Sequence, residues 1–210
     1  LDATKAYELI IRDQSETAGW PTSLRQVAAQ SYAQANEGSE ASPDEGPWRI
    51  TLDFPSFMPF MQHHRVRAQR EAIYRAYVGR ASSGEWDNSP LIDRILTLRK
   101  EQSALLGFSC YADRSLASKM APDTAAVEQM IAELKGASDG PMRADFAEME
   151  ALARENGQET PLLHWDTGFW SERLREARFD YTDDQLRPYF PLPKVLDGLF
   201  GLSERLFGIQ

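Results

Sequence analysis

Along most of the chain the apolar positions recur three and four residues apart, the period of an amphipathic helix. Ala3, Ala6, Tyr7 and Ile10 predict a first helix. After the break at Gly19-Trp20-Pro21, Leu24, Val27, Ala28 and Ser31 predict a second. One stretch departs from this rule. Trp48, Ile50, Leu52 and Phe54 alternate with Arg49, Thr51 and Asp53, which is the period-two pattern of a half-buried strand. Pro55 and Pro59 are expected to end it. The helical period returns over 66–81 through Ile73, Ala76 and Tyr77. Ser89-Pro90 then offers a cap and a first-turn proline for a helix with Leu91, Ile95, Leu98 and Leu105 on one face, closed by Gly107.

Asp123 caps a helix carrying Val127, Met130, Ile131 and Leu134, and Met142, Phe146, Met149 and Ala153 mark another that ends at Gly157. Thr182 and Gln185 predict a capping box, cut short by Pro188. The final stretch, 193–207, carries two stripes: Val195, Leu199, Leu202 and Leu206 on one, Leu196, Phe200 and Phe207 on the other. A helix apolar on two sides needs two burial partners. One stripe is expected to face the rest of this chain and the other a surface that the chain lacks.

The stretch 36–47 is Gly, Ser, Pro and acid with no large apolar side chain before Trp48, so it is expected to be a solvated, mobile loop. It divides the chain into a helical segment over 1–47 and a strand-plus-helices region over 48–210. No repeat of solenoid length recurs. The predicted fold class is all-α, mainly helical with one or two short strands.

Composition narrows the functions. The 210 residues hold 32 Asp+Glu against 23 Lys+Arg, a formal charge of −9, with 42% hydrophobic and 26% charged residues. That is an ordinary globular balance, and its acidity opposes binding to nucleic acid. No apolar run approaches the ~20 residues of a membrane helix. The single Cys110 excludes an internal disulfide and fits a reducing compartment, so the cytoplasm is expected. The first residues, Leu1-Asp2-Ala3, contain neither an initiator Met nor a signal core, as if taken from inside something longer.

Motifs for chemistry are few. The three histidines are His63, His64 and His164. Adjacent side chains share no helix or strand face, and no His-Glu-x-x-His occurs, so no metal is expected on this chain. There is no Gly-x-Ser-x-Gly elbow, no Gly-x-Gly-x-x-Gly and no Walker loop. Asp183-Asp184 reads better as acids favoured at a helix N-terminus than as a magnesium site. Arg65, Arg67, Arg70, Arg75 and Arg80 could form an anion or peptide-carboxylate site, but a solvated helix face is favoured. Trp165, Phe169 and Trp170 flank Asp166, with Tyr189-Phe190 soon after. These five positions, Trp165, Asp166, Phe169, Trp170 and Tyr189, are the candidates for lining a groove, although spacing alone favours core packing.

Taken together, several blocks resemble the thimet oligopeptidase and oligopeptidase A family of zinc peptidases. They begin with Trp48-Arg49-Ile50-Thr51-Leu52-Asp53-Phe54-Pro55 and Arg70-Glu71-Ala72-Ile73-Tyr74-Arg75-Ala76-Tyr77. Trp86-Asp87-Asn88-Ser89-Pro90, Leu116-Ala117-Ser118-Lys119-Met120-Ala121 and Trp165-Asp166 follow in the family's order, then Leu186-Arg187-Pro188-Tyr189-Phe190-Pro191 and Val195-Leu196-Asp197-Gly198-Leu199-Phe200. One departure is that Phe169-Trp170 stands where the family usually has two tyrosines.

The resemblance implies a mostly helical, two-lobed channel fold that admits short peptides. It also implies a zinc on a His-Glu-x-x-His helix, whose Glu acts as general base on a zinc-bound water. That helix is absent here. The resemblance therefore implies a middle portion of a zinc-dependent oligopeptidase: helical scaffold and channel wall, with no catalytic and no metal residue of its own. Zinc would belong to the complete enzyme, and the partners would be short peptides and either a C-terminal catalytic half or a second copy. The alternative is a non-catalytic helical peptide-binding or scaffold protein derived from the same family.

Overall fold

The computed structural model describes residues 1–36, 38–179 and 181–209, and the side chains of Asp183 and Asp184 lie outside the described residues. Helices predominate. The order is α1 (Asp2–Lys5), β1 (Glu8–Ile11), α2 (Thr22–Ala35), β2 (Trp48–Thr51), α3 (Phe54–His63), α4 (Arg67–Val78), α5 (Ser89–Leu105), α6 (Tyr111–Leu116), α7 (Thr124–Glu155), α8 (His164–Phe179), α9 (Asp183–Leu186) and α10 (Leu192–Phe207).

The expected strand needs a partner, and it finds one where a helix is predicted. β1 pairs antiparallel with β2 in the register Glu8↔Thr51, Leu9↔Ile50, Ile10↔Arg49 and Ile11↔Trp48. A lone strand leaves its backbone N–H and C=O groups unpaired. The β-branched Ile10 and Ile11 suit that ladder, so the helical spacing of Ala3, Ala6, Tyr7 and Ile10 yields only α1. Arg49 crosses the ladder to Glu8 at 2.7 Å.

Trp48, Ile50 and Leu52 are buried as their alternation predicts, but Phe54 is 66% exposed. Phe54 opens α3, with Pro55 in its first turn and Pro59 inside it. A proline at the start of a helix sacrifices only an N–H that would have no partner anyway, so here it begins an element that it was expected only to follow. Ser56 Oγ accepts from the Thr51 N–H at 3.0 Å and ties the strand to the helix. Trp20 sits edge-on to Trp48 and Phe60 in the main core, which also takes Leu24, Ala28, Phe57, Ile73 and Trp165. A smaller core joins Met149 and Ala153 of α7 to Trp170 of α8.

Other expectations shift. Within the acidic stretch 36–47, residues 42–46 make hydrogen bonds to one another and to the body of the fold. Ser42 bridges Gly46, Gln14 Nε2 donates to the Asp44 carbonyl at 2.8 Å, and the Trp48 indole donates to the Pro43 carbonyl at 3.2 Å. The two helices predicted around 123–157 are one, α7, which runs through Pro141 and is capped by Asp123 accepting from the Ala126 N–H at 2.8 Å. Asn88 rather than Ser89 precedes α5, and Ser89 donates to Asp87. Half of the predicted capping box forms, with the Thr182 N–H donating to Gln185 Oε1 at 2.8 Å.

The apolar stripes of α5 and α10 do not reach the core. Leu91, Ile95, Leu98 and Leu105 are exposed, and α10 has no buried residue on either stripe. Periodicity states which face wants burial, but it does not say that a surface is present to provide it.

Candidate functional site

The site is built on α8, where Trp165, Asp166, Phe169, Trp170 and Arg173 recur at one- and four-residue steps and so share one side of the helix. Asp166 is fully buried in the first turn. Its Oδ1 accepts from Arg67 Nε at 2.9 Å and Arg70 Nη2 at 3.0 Å, and its Oδ2 from Arg67 Nη2 at 2.7 Å and the Leu163 N–H at 3.1 Å. Burial pushes this carboxyl up. The hydrogen bonds from Arg67, the Leu163 N–H and Arg70 outweigh it and hold the group below the usual carboxylate range.

Arg70 itself is 1% exposed. Its remaining donors go to the carbonyls of Trp165 (3.1 Å), His64 (2.8 Å) and Arg65 (3.2 Å). Arg67 and Arg70 lie three residues apart on α4, so both guanidiniums reach one carboxylate from the same face. Within the arginine run Arg70 is therefore buried and Arg67 half-buried on Asp166, while Arg65 and Arg75 remain exposed. Arg75 stacks over Trp165 at 4.8 Å and Arg80 over Tyr77 at 3.7 Å, so aromatic faces take up two more of its members. Sequence reading missed Arg67 and Arg70 as the partners of Asp166. The i,i+3 spacing carried the signal, but the partner lies about a hundred residues away, beyond any local pattern.

Four of the five predicted residues come together, and Tyr189 stands apart. Trp165 and Trp170 serve the two cores, Phe169 packs edge-on to Trp170 at 5.3 Å, and Arg70 and Arg173 lie 4.3 and 5.0 Å from the Phe169 ring centre. Tyr189, in a short 3-10 turn (Arg187–Tyr189), is 78% exposed. Beside α8 a cleft of about 710 Å³ is lined by Phe169, Trp170, Arg70, Arg173, Arg65 and the residues following α7.

A second hub was not foreseen. His64, expected only as a poor metal ligand, is fully buried between Trp20 and Phe60. Its Nδ1 accepts from the Trp20 indole N–H at 3.1 Å, and since that group can only donate, the ring proton sits on Nε2 and points to Gln69 Oε1 at 2.6 Å. Gln69 Nε2 continues to Glu16 at 3.0 Å. Burial, with the Arg70 charge, lowers His64 to about 4 against the opposing Gln69 bond.

His63 faces a different cavity, of about 390 Å³, together with Glu172 and Glu176. One ligand atom from each of these three residues lies within 4.8 Å of the others. Both carboxylates are already committed to guanidiniums: Glu172 to Arg175, and Glu176 to Arg173 at 2.7 Å. Burial pushes Glu172 up, the Arg175 hydrogen bond outweighs it, and the group is held low. Arg173 Nη2 also lies 3.2 Å from His63 Nδ1. A dication at this position would have to compete with these guanidiniums for both carboxylates.

Comparison with known proteins bears on these features. Residues 60–210 match Peptidase family M3. The chain belongs to peptidase family M3. Over its whole length this M3 chain is 49% identical to the "Probable cytosolic oligopeptidase A" of Arabidopsis thaliana, covering 30% of that protein. It is 48% identical to the "Organellar oligopeptidase A, chloroplastic/mitochondrial" of the same plant, covering 26% of it. With "Oligopeptidase A" of Escherichia coli it shares 37% identity, again along the whole chain and 30% of the relative. The M3 chain thus spans roughly a third or less of the relatives it matches. No described helix is long and apolar enough to cross a membrane.

Proposed function

We propose that this chain is the helical scaffold and channel wall of a zinc-dependent oligopeptidase that hydrolyses short peptides, and that the residues holding zinc lie outside it. The observation that carries this reading is similarity along this whole chain to about a third of oligopeptidase A, in a chain without His-Glu-x-x-His. The arginine commitments of Glu172 and Glu176 support placing the metal elsewhere.

In this reading the chain contributes geometry. The Asp166–Arg67–Arg70 cluster locks α4 to α8, and α8 then presents Phe169 and Trp170 as an aromatic wall with fixed cations behind it. The exposed stripes of α5 and α10 support an extensive protein contact, with the catalytic remainder as occupant, because apolar area of this extent usually marks an interface. A reducing compartment is supported by the single Cys110, and the printed names of the two plant relatives divide between a cytosolic and an organellar setting.

The test is reconstitution. Alone, the chain should not hydrolyse a quenched fluorogenic peptide and should hold no stoichiometric zinc by mass spectrometry of the native protein. Joined to the remaining sequence of the Arabidopsis cytosolic relative, it should hydrolyse that peptide in a chelator-sensitive way. Zinc-dependent hydrolysis by the chain alone would overturn the proposal. So would a folded, zinc-loaded joined protein without activity, which would favour the non-catalytic binding protein.

A further inference from the structure

Helix α10 holds its shape without burying a single side chain. Leu192, Val195, Leu199, Leu202 and Leu206 follow one another at alternating three- and four-residue steps, and each is between 46% and 67% exposed. That spacing is the seam along which two helices interlock their side chains. An isolated helix of about 15 residues is marginal in water, and in proteins its stability comes from packing one face.

The glycines of α10 add a second observation. Gly198 has Val195 three residues before it and Leu202 four after it, so it continues the seam. Gly201 instead falls among Asp197, Glu204 and Arg205, on the polar side. A glycine inside a helix disfavours it about fivefold relative to alanine. A Cβ at Gly198 would meet no atom of the described residues within 4 Å. Within this chain, then, Gly198 weakens α10 and relieves no clash. A glycine on a packing face serves a different end, which is to let another backbone come close.

From these observations we infer that α10 is a docking helix for the catalytic remainder, which lays a helix along the seam from Leu192 to Leu206 and comes close to the α10 backbone at Gly198. This chain covers 30% of the cytosolic plant relative, so most of that protein's length is available to supply the cover. The relative carries both parts in one polypeptide, which holds the remainder at an effective concentration on the order of millimolar. A second copy of this chain has no such advantage. The contact gains free energy with every leucine it removes from water. The inference rests on the peptidase reading above for the existence of that remainder.

The measurement is amide hydrogen exchange by mass spectrometry over 192–207, in the 210-residue chain and in the protein joined to the remaining sequence of the Arabidopsis cytosolic relative. Exchange there should slow at least a hundredfold on joining. Gly198→Ala should then act with opposite signs. In the 210-residue chain it favours the helix and slows exchange about fivefold. In the joined protein its methyl meets the approaching partner, and exchange speeds up at least tenfold. Gly201→Ala, on the polar side, should slow exchange about fivefold in the 210-residue chain and should not speed it in the joined protein.

Should the joined Gly198→Ala protein not fold, Leu202→Ala is read in its place. It removes seam contacts, so it should speed exchange at least tenfold in the joined protein and not in the 210-residue chain. The inference is overturned if joining leaves 192–207 unprotected, or if Gly198→Ala slows exchange in both proteins. It is overturned equally if Gly201→Ala disrupts the joined protein as much as Gly198→Ala does. Protection already complete in the 210-residue chain would also overturn it, since the cover would then be this chain itself or a second copy. Hydrolysis of the fluorogenic peptide is read separately, so protection that fails beside intact hydrolysis rejects only this inference. Failure of hydrolysis beside intact protection rejects only the peptidase reading.

Discussion

His64 should make this fold acid-sensitive in a definite pH window. In the unfolded chain it titrates at 6.5, and in the folded chain at about 4, because burial and the Arg70 charge oppose its protonation and the Trp20 N–H already occupies Nδ1. Above 6.5 both states hold the neutral ring and the difference vanishes. As pH falls below 6.5 the unfolded state takes up the proton and the folded state does not, so stability is lost progressively until about 4. At pH 5 the linkage amounts to about 2 kcal/mol, rising to about 3 kcal/mol below pH 4.

The perturbation is His64→Gln, which keeps an acceptor for Trp20 and a donor for Gln69 but cannot titrate. Urea unfolding followed by tryptophan fluorescence at pH 7 and pH 5 gives the loss for each protein. The wild type should lose about 2 kcal/mol more than the variant over that interval, which is ~1 M in urea midpoint at a slope of ~2 kcal/mol per M. His63, His164 and the carboxylates are common to both proteins and cancel. Equal losses in the two proteins would refute the assignment of His64 as a buried neutral ring.

Asp166→Asn strands the buried Arg70 charge and should cost about 3–5 kcal/mol by urea unfolding. Arg67→Gln should cost less, because the Arg67 side chain is partly exposed and Arg70 still holds Asp166. Trp48→Ala opens a cavity where β2 meets Trp20 and should cost about 3–5 kcal/mol in the same assay, with m unchanged.

Sequence by itself determined the helical class, a strand beginning at Trp48 and the cap at Asp123. These are local properties: side-chain period and a carboxylate one step before a helix. It also carried the family, because the matched blocks keep their order along the chain.

Only the tertiary structure decided the rest. Residues 8–11 are a strand because β2 offers a ladder forty residues away, and that pairing outweighs a weak helical spacing. Asp166 becomes a hub because α4 brings two arginines to it across a sequence gap that no local pattern spans. The stripes of α5 and α10 are correctly apolar and yet exposed. Hydrophobic period records a demand for burial, whereas burial itself is a property of whatever surface the fold places opposite.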